Sequence, residues 1–85
     1  MKFFLDVEAS SLADGSFPIE VAWVDETGQG EHYLIRPAPR WLDGAGFPLA
    51  WNVGSERLHG ISFATLLVEG ISHVRVAKRV AQVLA

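Results

Sequence analysis

The first 36 residues contain three short runs in which side chains alternate between two faces, a pattern typical of β-strands. The first run predicts a strand over Lys2–Glu8. Its two faces carry different residues, Phe3, Leu5 and Val7 on one and Phe4, Asp6 and Glu8 on the other. A small sheet with an apolar face must bury that face against another element. The predicted strands are therefore the feature that most restricts the possible folds of this chain.

Two further runs predict strands over Pro18–Asp25 and Glu31–Arg36. The segment between them, Glu26–Gly30, predicts a turn. Because so short a connection joins them, these two strands form an antiparallel hairpin. The connection between the first two strands, Ala9–Phe17, contains Asp-Gly-Ser and predicts a loop.

The second half of the chain predicts helices. Pro37–Gly54 holds three prolines and several glycines and is typical of a long surface segment. Ser62 precedes a short helix over Phe63–Glu69, and a second helix runs from His73 to the last residue. We therefore expect an α/β protein in the broad sense, and more specifically an α+β fragment. It has a three-stranded antiparallel sheet followed by C-terminal helices.

The amino-acid composition restricts the classes of function that this chain can have. The 85 residues correspond to one small domain, yet 49% are hydrophobic and only 20% are charged, so some apolar surface is available for a partner. The net charge is −3 and no basic run exists, which argues against binding nucleic acid through a positive surface. No cysteine is present, which excludes disulfides and thiolate metal sites. No apolar run has the length of a signal peptide or a membrane span, so we expect a cytoplasmic protein that does not bind membranes.

Asp6 and Glu8 are the candidate metal-binding residues of the sequence. At a spacing of two on a strand they project from the same face, within reach of one ion. Hard divalent cations such as Mg²⁺ and Mn²⁺ prefer carboxylate oxygens, and a cation would relieve the repulsion between the two acids. The alternative interpretation is an edge strand whose acids face solvent and oppose aggregation.

Four stretches, in order, carry a family resemblance: FLDVEASSL, FPIEVAWV, YLIRP and LHGIS. Together they resemble the DEDD superfamily of 3′–5′ exonucleases, which includes the DnaQ-like proofreading subunits. The resemblance implies the first half of an RNase H-like exonuclease domain. It implies that Asp6 and Glu8 are catalytic and bind metal, with Mg²⁺ or Mn²⁺ as cofactor. It also implies a substrate site for the 3′ end of DNA or RNA, formed by Ala9, Ser10, Leu12, His59 and Ile61.

The chain departs from the family pattern in two ways. Ala9 replaces the usual threonine after the second acid. The third and fourth acids and the general base of the family have no counterpart, since no acid follows Glu69. We therefore expect residues 1–85 to form a single partial exonuclease-like domain that binds divalent cations weakly and is inactive, or nearly so, alone.

Two other interpretations remain open at this point. The chain could be a non-catalytic interaction or self-association module on an exonuclease-like scaffold, or a small α+β domain whose likeness to the family is accidental. The apolar first strand, with no fourth strand beside it, favours a homodimer or a complex with a complementing C-terminal half.

Overall fold

A computed structural model describes residues 2–11, 15–43, 46 and 51–84 of the chain. The elements, in chain order, are β1 (Phe3–Ala9), β2 (Pro18–Asp25), β3 (Gly30–Arg36), a 3₁₀ turn (Pro39–Trp41), α1 (Val53–His59), α2 (Phe63–Glu69), β4 (Ile71–Ser72) and α3 (His73–Leu84). The fold is α+β, a mostly antiparallel mixed sheet followed by helices. No helix in the described ranges is long and apolar enough to cross a membrane.

Among the described residues, the sheet has four strands in the order β1-β2-β3-β4. β1, β2 and β3 are antiparallel neighbours, whereas β4 pairs parallel to β3 through Ile35–Ile71 and Arg36–Ser72. The expectation of three strands was therefore wrong by one, because a two-residue strand carries no periodicity. Helix α1 was not predicted either, and its first two residues, Val53 and Gly54, fall inside the segment expected to be irregular.

The hairpin between β2 and β3 forms as expected, and its turn explains why. The Asp25 carboxylate accepts hydrogen bonds from the backbone N–H groups of Thr27 (2.8 Å) and Gln29 (3.0 Å). Gly28 has a φ of +87°, a left-handed conformation that glycine adopts without strain. The turn thus fixes the register in which Val24 lies opposite Gly30.

The core lies on one side of β2 and β3. Ile19, Val21 and Trp23 alternate along β2 and are all buried. Two clusters form around them. One contains Val21, Trp23, Ile35 and Val76, and the other contains Phe17, Ile19 and Leu66. Helix α3 supplies the first cluster and α2 the second, and Trp41 packs against both.

Two local features hold the helices in place. Ser62 caps α2 by accepting a hydrogen bond from the Thr65 N–H at 3.1 Å, as its position in the sequence predicts. Gly70 ends that helix where the backbone of Arg36 passes so closely that a Cβ would lie 2.6 Å from the Arg36 nitrogen. No side chain fits at Gly70, so α2 can lie directly against the end of β3.

Strand β1 is covered much less than its neighbours. β2 is its one partner in the described sheet. Phe4, Leu5 and Val7 are 64%, 57% and 50% exposed. A groove of about 460 Å³ opens between Val7 and the apolar face of α3, including Val76 and Val80. The sheet therefore has one covered half and one uncovered half.

Candidate functional site

The two acids lie on one face of β1. The β1–β2 register is regular from Phe3 to Glu8, which places Asp6 opposite Ala22 and Glu8 opposite Glu20. Residues two apart on a regular strand project from the same side, so Asp6 and Glu8 share a face, as the alternation predicts. This face is the one that α3 does not cover, and Asp6 is exposed while Glu8 is half-buried.

Glu20 adds a third carboxylate to the same face. Residues directly opposite on antiparallel strands have Cβ atoms about 5 Å apart, and like charges in that position repel. A cation beside Glu8 and Glu20 would offset this repulsion. The sequence alone does not place Glu20 here, because the loop before β2 is too long for its length to fix the register.

The donor set does not amount to a metal centre. In the described ranges, no group of three or more acidic, histidine or cysteine side chains is arranged to hold a metal ion. Asp6, Glu8 and Glu20 therefore do not converge on one ion, and any two of them leave most of the coordination shell of Mg²⁺ to water. The described residues therefore suit a loosely held, hydrated cation and lack the ligands of a resident one.

A shallow depression of about 260 Å³ lies beside Asp6. Phe4, Ala22 and Val24 line it together with Asp6. His32 lies opposite Ala22 on β3, in the same row across the sheet, and is exposed. Since neighbouring strands are about 4.8 Å apart, Asp6 and His32 are about 10 Å apart with only the small Ala22 between them. On this face the aromatic ring of Phe4 and the carboxylate of Asp6 therefore lie side by side.

The end of β1 is locked in place by Ser10. The register shifts between Glu8 and Ala9, and Ser10 follows, fully buried. Its hydroxyl accepts a hydrogen bond from the Phe17 N–H (3.1 Å), and its own N–H donates to the Phe17 carbonyl (2.9 Å). Its carbonyl accepts from the Asn52 N–H at 3.2 Å. Ser10, predicted to contact substrate, thus has its hydroxyl, N–H and carbonyl engaged within the protein. Leu12 lies outside the described residues.

His59 and Ile61 form the corner between α1 and α2. The Ile61 N–H donates to Nδ1 of His59 at 2.9 Å, and Gly60 between them has a φ of +73°. Nδ1 accepts this hydrogen bond through its lone pair, which leaves Nε2 as the other polar atom of the ring. That Nε2 is buried and has no hydrogen-bond partner among the described residues. Ile61 packs against the cluster around Ile19.

Trp51 connects this corner to the rest of the molecule. Its ring lies 6.1 Å from His59 and 5.7 Å from Phe63, and its Nε1–H donates to Glu56 at 3.2 Å. The Ser10–Asn52 hydrogen bond then joins the corner to the end of β1. Two parts of the predicted site that are distant in sequence are thereby linked. Asn52 also caps α1 by accepting from the Ser55 N–H, a signal that could have predicted this helix.

The shifted pKa values lie away from the acids of β1. Glu31, on the covered side of the hairpin, accepts hydrogen bonds from Arg79 and from the Tyr33 hydroxyl. Arg79 first, and then Tyr33, lower the pKa of the Glu31 carboxyl, and the same carboxylate raises the pKa of Tyr33. In the turn, the Thr27 hydroxyl is the main cause of the lowered pKa of Asp25. These shifts belong to interactions that fix the fold.

Comparison with protein-family models, with curated proteins and with solved structures finds no match to this chain.

Proposed function

We propose that the chain supplies the first part of a metal-dependent 3′–5′ exonuclease site of the DEDD type, acting on the 3′ end of DNA or RNA. The observation that carries the proposal is the placement of Asp6 and Glu8 on one open face of the first strand. Two carboxylates on one face are the minimum from which a shared cation site can be built.

The order and geometry of the other elements support this proposal. Three antiparallel strands precede the helices, as in the first half of the RNase H-like domain that the resemblance implies. The His59-Gly60-Ile61-Ser62 stretch forms a tight corner between two helices, and Ser10 ties that corner to the end of β1. Of the residues proposed to surround the substrate, Ser10, His59 and Ile61 thus belong to one connected region.

The site is incomplete within these 85 residues. The exonuclease chemistry of the resemblance needs two further acids and a base, and a complementing segment or chain must provide them. We expect no appreciable degradation of end-labelled single-stranded DNA or RNA by this chain with Mn²⁺, because such sites lose activity steeply when a member is absent. A ladder from the 3′ end that disappears in Glu8→Ala would contradict this expectation.

Metal binding tests the proposal without activity. Paramagnetic Mn²⁺ should broaden the amide signals of β1 around Asp6 and Glu8 in NMR spectra. The affinity should be no tighter than millimolar, about −4 kcal/mol, since water fills most of the coordination shell. Asp6→Asn should abolish the broadening, whereas Glu69→Gln, which removes an exposed carboxylate at the end of α2, should leave it unchanged. Broadening that survives Asp6→Asn would exclude the site.

One observation favours a second candidate function, an interaction module without catalysis. The uncovered half of the sheet exposes Leu5 and Val7, and the groove of about 460 Å³ beside α3 is almost wholly apolar. Exposed apolar surface of this kind marks interaction sites. Under this proposal the acids keep β1 soluble, and the chain functions through its partner.

A further inference from the structure

The unpaired side of β1 is suited to strand addition. An edge strand presents free backbone N–H and C=O groups, and proteins protect such edges with proline, inward-pointing charges or a covering element. β1 has no proline, and on the α3 side its residues are Phe3, Leu5 and Val7. The register shift after Glu8 ends the flat part of the strand, which leaves Phe3–Glu8 regular.

We propose that β1 pairs antiparallel with β1 of a second copy across a two-fold axis, with Leu5 opposite Leu5. The two four-stranded sheets then become one continuous sheet. In this register Phe3 of each copy lies opposite Val7 of the other. The apolar residues that β1 exposes on the α3 side are therefore all placed against apolar neighbours.

Charge selects this register. With Leu5 at the axis, Lys2 lies opposite Glu8 of the second copy at both ends of the ladder, and Phe4 lies opposite Asp6. Opposite charges in cross-strand pairs are favourable and like charges are not. The two Phe4 rings occupy diagonal positions, about 7–8 Å apart, a separation that aromatic side chains can bridge. The strand is thus complementary to itself.

The neighbouring symmetric registers are worse. In an antiparallel sheet, residues opposite each other share a face, so the register can shift only by steps that preserve the faces. One such step places Asp6 opposite Asp6, a repulsive pair at the centre. The step in the other direction places Phe4 at the axis and Lys2 opposite Asp6, but it leaves Val7 and Glu8 with no partner within Lys2–Glu8. Only the register centred on Leu5 pairs the whole of Lys2–Glu8 without like charges.

A second copy is the occupant that the charges favour. Lys2 and Glu8 lie at equal distances from Leu5 along the chain. This symmetry pairs opposite charges only when the partner strand has the same sequence and runs antiparallel. Pairing also places the two apolar grooves beside α3 next to each other, over the joined strands. This inference is independent of the nuclease proposal, because association and Mn²⁺ binding have separate readouts.

The first test measures mass by sedimentation equilibrium at micromolar concentration. We expect twice the 9.3 kDa of the single chain. Leu5→Lys places two charges at the axis and should weaken association more than tenfold, while circular dichroism shows that the variant stays folded. Val68→Lys adds the same charge at an exposed position on α2 and should leave association unchanged. A single-chain mass throughout, or equal association of both variants, would overturn the proposal.

The second test reverses charges and is specific to the register. Lys2→Glu and Glu8→Lys should each weaken self-association about tenfold, because each creates like-charge pairs at both ends. Mixed in equal amounts, the two variants should associate with each other as well as the unaltered chain does, since every Glu then meets a Lys. Failure of the mixture to associate would exclude the Leu5-centred register.

The third test uses the absence of native cysteine. Leu5→Cys should form a disulfide-linked dimer under mild oxidation, because the two residues lie directly opposite at the axis. Leu58 is 90% exposed on α1, and Leu58→Cys should not cross-link efficiently at the same concentration. Equal cross-linking of the two variants would show that another segment, or collision alone, brings the chains together and would overturn the proposal.

Discussion

β1 and β2 are neighbours of nearly equal length, paired along their whole extent, yet only one of them is buried. Ile19, Val21 and Trp23 of β2 are almost inaccessible, whereas Leu5 and Val7 of β1 are about half exposed on the same side of the sheet. The cause is the position of α3, which follows directly from β4 at the far edge of the sheet. Alternation in a strand therefore specifies which face is apolar, while the chain connections decide whether that face is covered.

The largest expected effect is the difference in unfolding free energy between two leucine-to-alanine substitutions, one in the covered part of the molecule and one in the uncovered half of the sheet. Leu66→Ala removes a side chain with no exposed surface from the covered half and should lower the free energy of unfolding by about 2–5 kcal/mol. Leu5→Ala in the uncovered half should cost the single chain less than about 1 kcal/mol. Urea denaturation at low protein concentration measures both. Equal losses would show that β1 is covered in solution by an element of the same chain.

A smaller effect is expected at the junction of the two halves. Ser10→Ala removes the hydroxyl that accepts from the Phe17 N–H and leaves that buried donor without a partner. The free energy of unfolding should fall by about 1–3 kcal/mol. Ser16→Ala, at an exposed position of the same loop, is the matched control and should change it by less than about 0.5 kcal/mol. Similar values for both variants would mean that the Ser10 bond does not stabilise the junction.

The smallest expected effect concerns the ion pair between α3 and β3. Arg79 binds Glu31 at 2.6 Å and is the main cause of the lowered pKa of that carboxyl. Arg79→Ala should raise the pKa of Glu31 towards its ordinary value of about 4.3, measured by NMR of the side-chain carboxyl carbon. Arg75→Ala, which removes an exposed arginine from the same helix, should leave it unchanged.

The sign of the pH dependence follows from the direction of this shift. Because the folded protein holds the pKa of Glu31 below its unfolded value, the ion pair contributes stability above the ordinary glutamate pKa. That contribution is lost as the pH falls through the lowered value. The difference in stability between the unaltered chain and Arg79→Ala should therefore be present at neutral pH and vanish in acid. A difference that grows in acid would contradict this assignment.

The sequence predicted β1, β2, β3, α2 and α3 and missed α1 and β4. β2 and α2 have the predicted bounds, and β1 and β3 begin or end within one residue of them. Their signals are local, since alternation, the Ser62 cap and the glycine after α2 all act within a few residues. β4 exists only because Ile71 and Ser72 lie beside Ile35 and Arg36, a long-range pairing that no local pattern encodes. The start of α1 was missed because Pro48 and Gly54, close to Asn52, indicated an irregular segment and outweighed the capping signal of Asn52.

The candidate site was predictable to the same limited extent. The shared face of Asp6 and Glu8 follows from strand geometry alone. The position of Glu20 beside Glu8 depends on the strand register. The burial of Ser10 depends on contacts with Phe17, across the loop, and with Asn52, far along the chain. Tertiary contacts decide both. The exonuclease assignment and the substrate roles of Ala9, Ser10, Leu12, His59 and Ile61 stay predictions.

The hydrogen bonds between Ser10 and Phe17 also determine where the chain can tolerate a change of length. They close the loop between β1 and β2 at its base, so the strands are held together from outside the loop. Residues inserted between Gly15 and Ser16, both exposed, would lengthen a segment whose ends are already fixed. Doubling such a loop costs only about 0.6 kcal/mol of chain entropy. A peptide tag or a reporter domain placed there would leave the β1–β2 ladder intact.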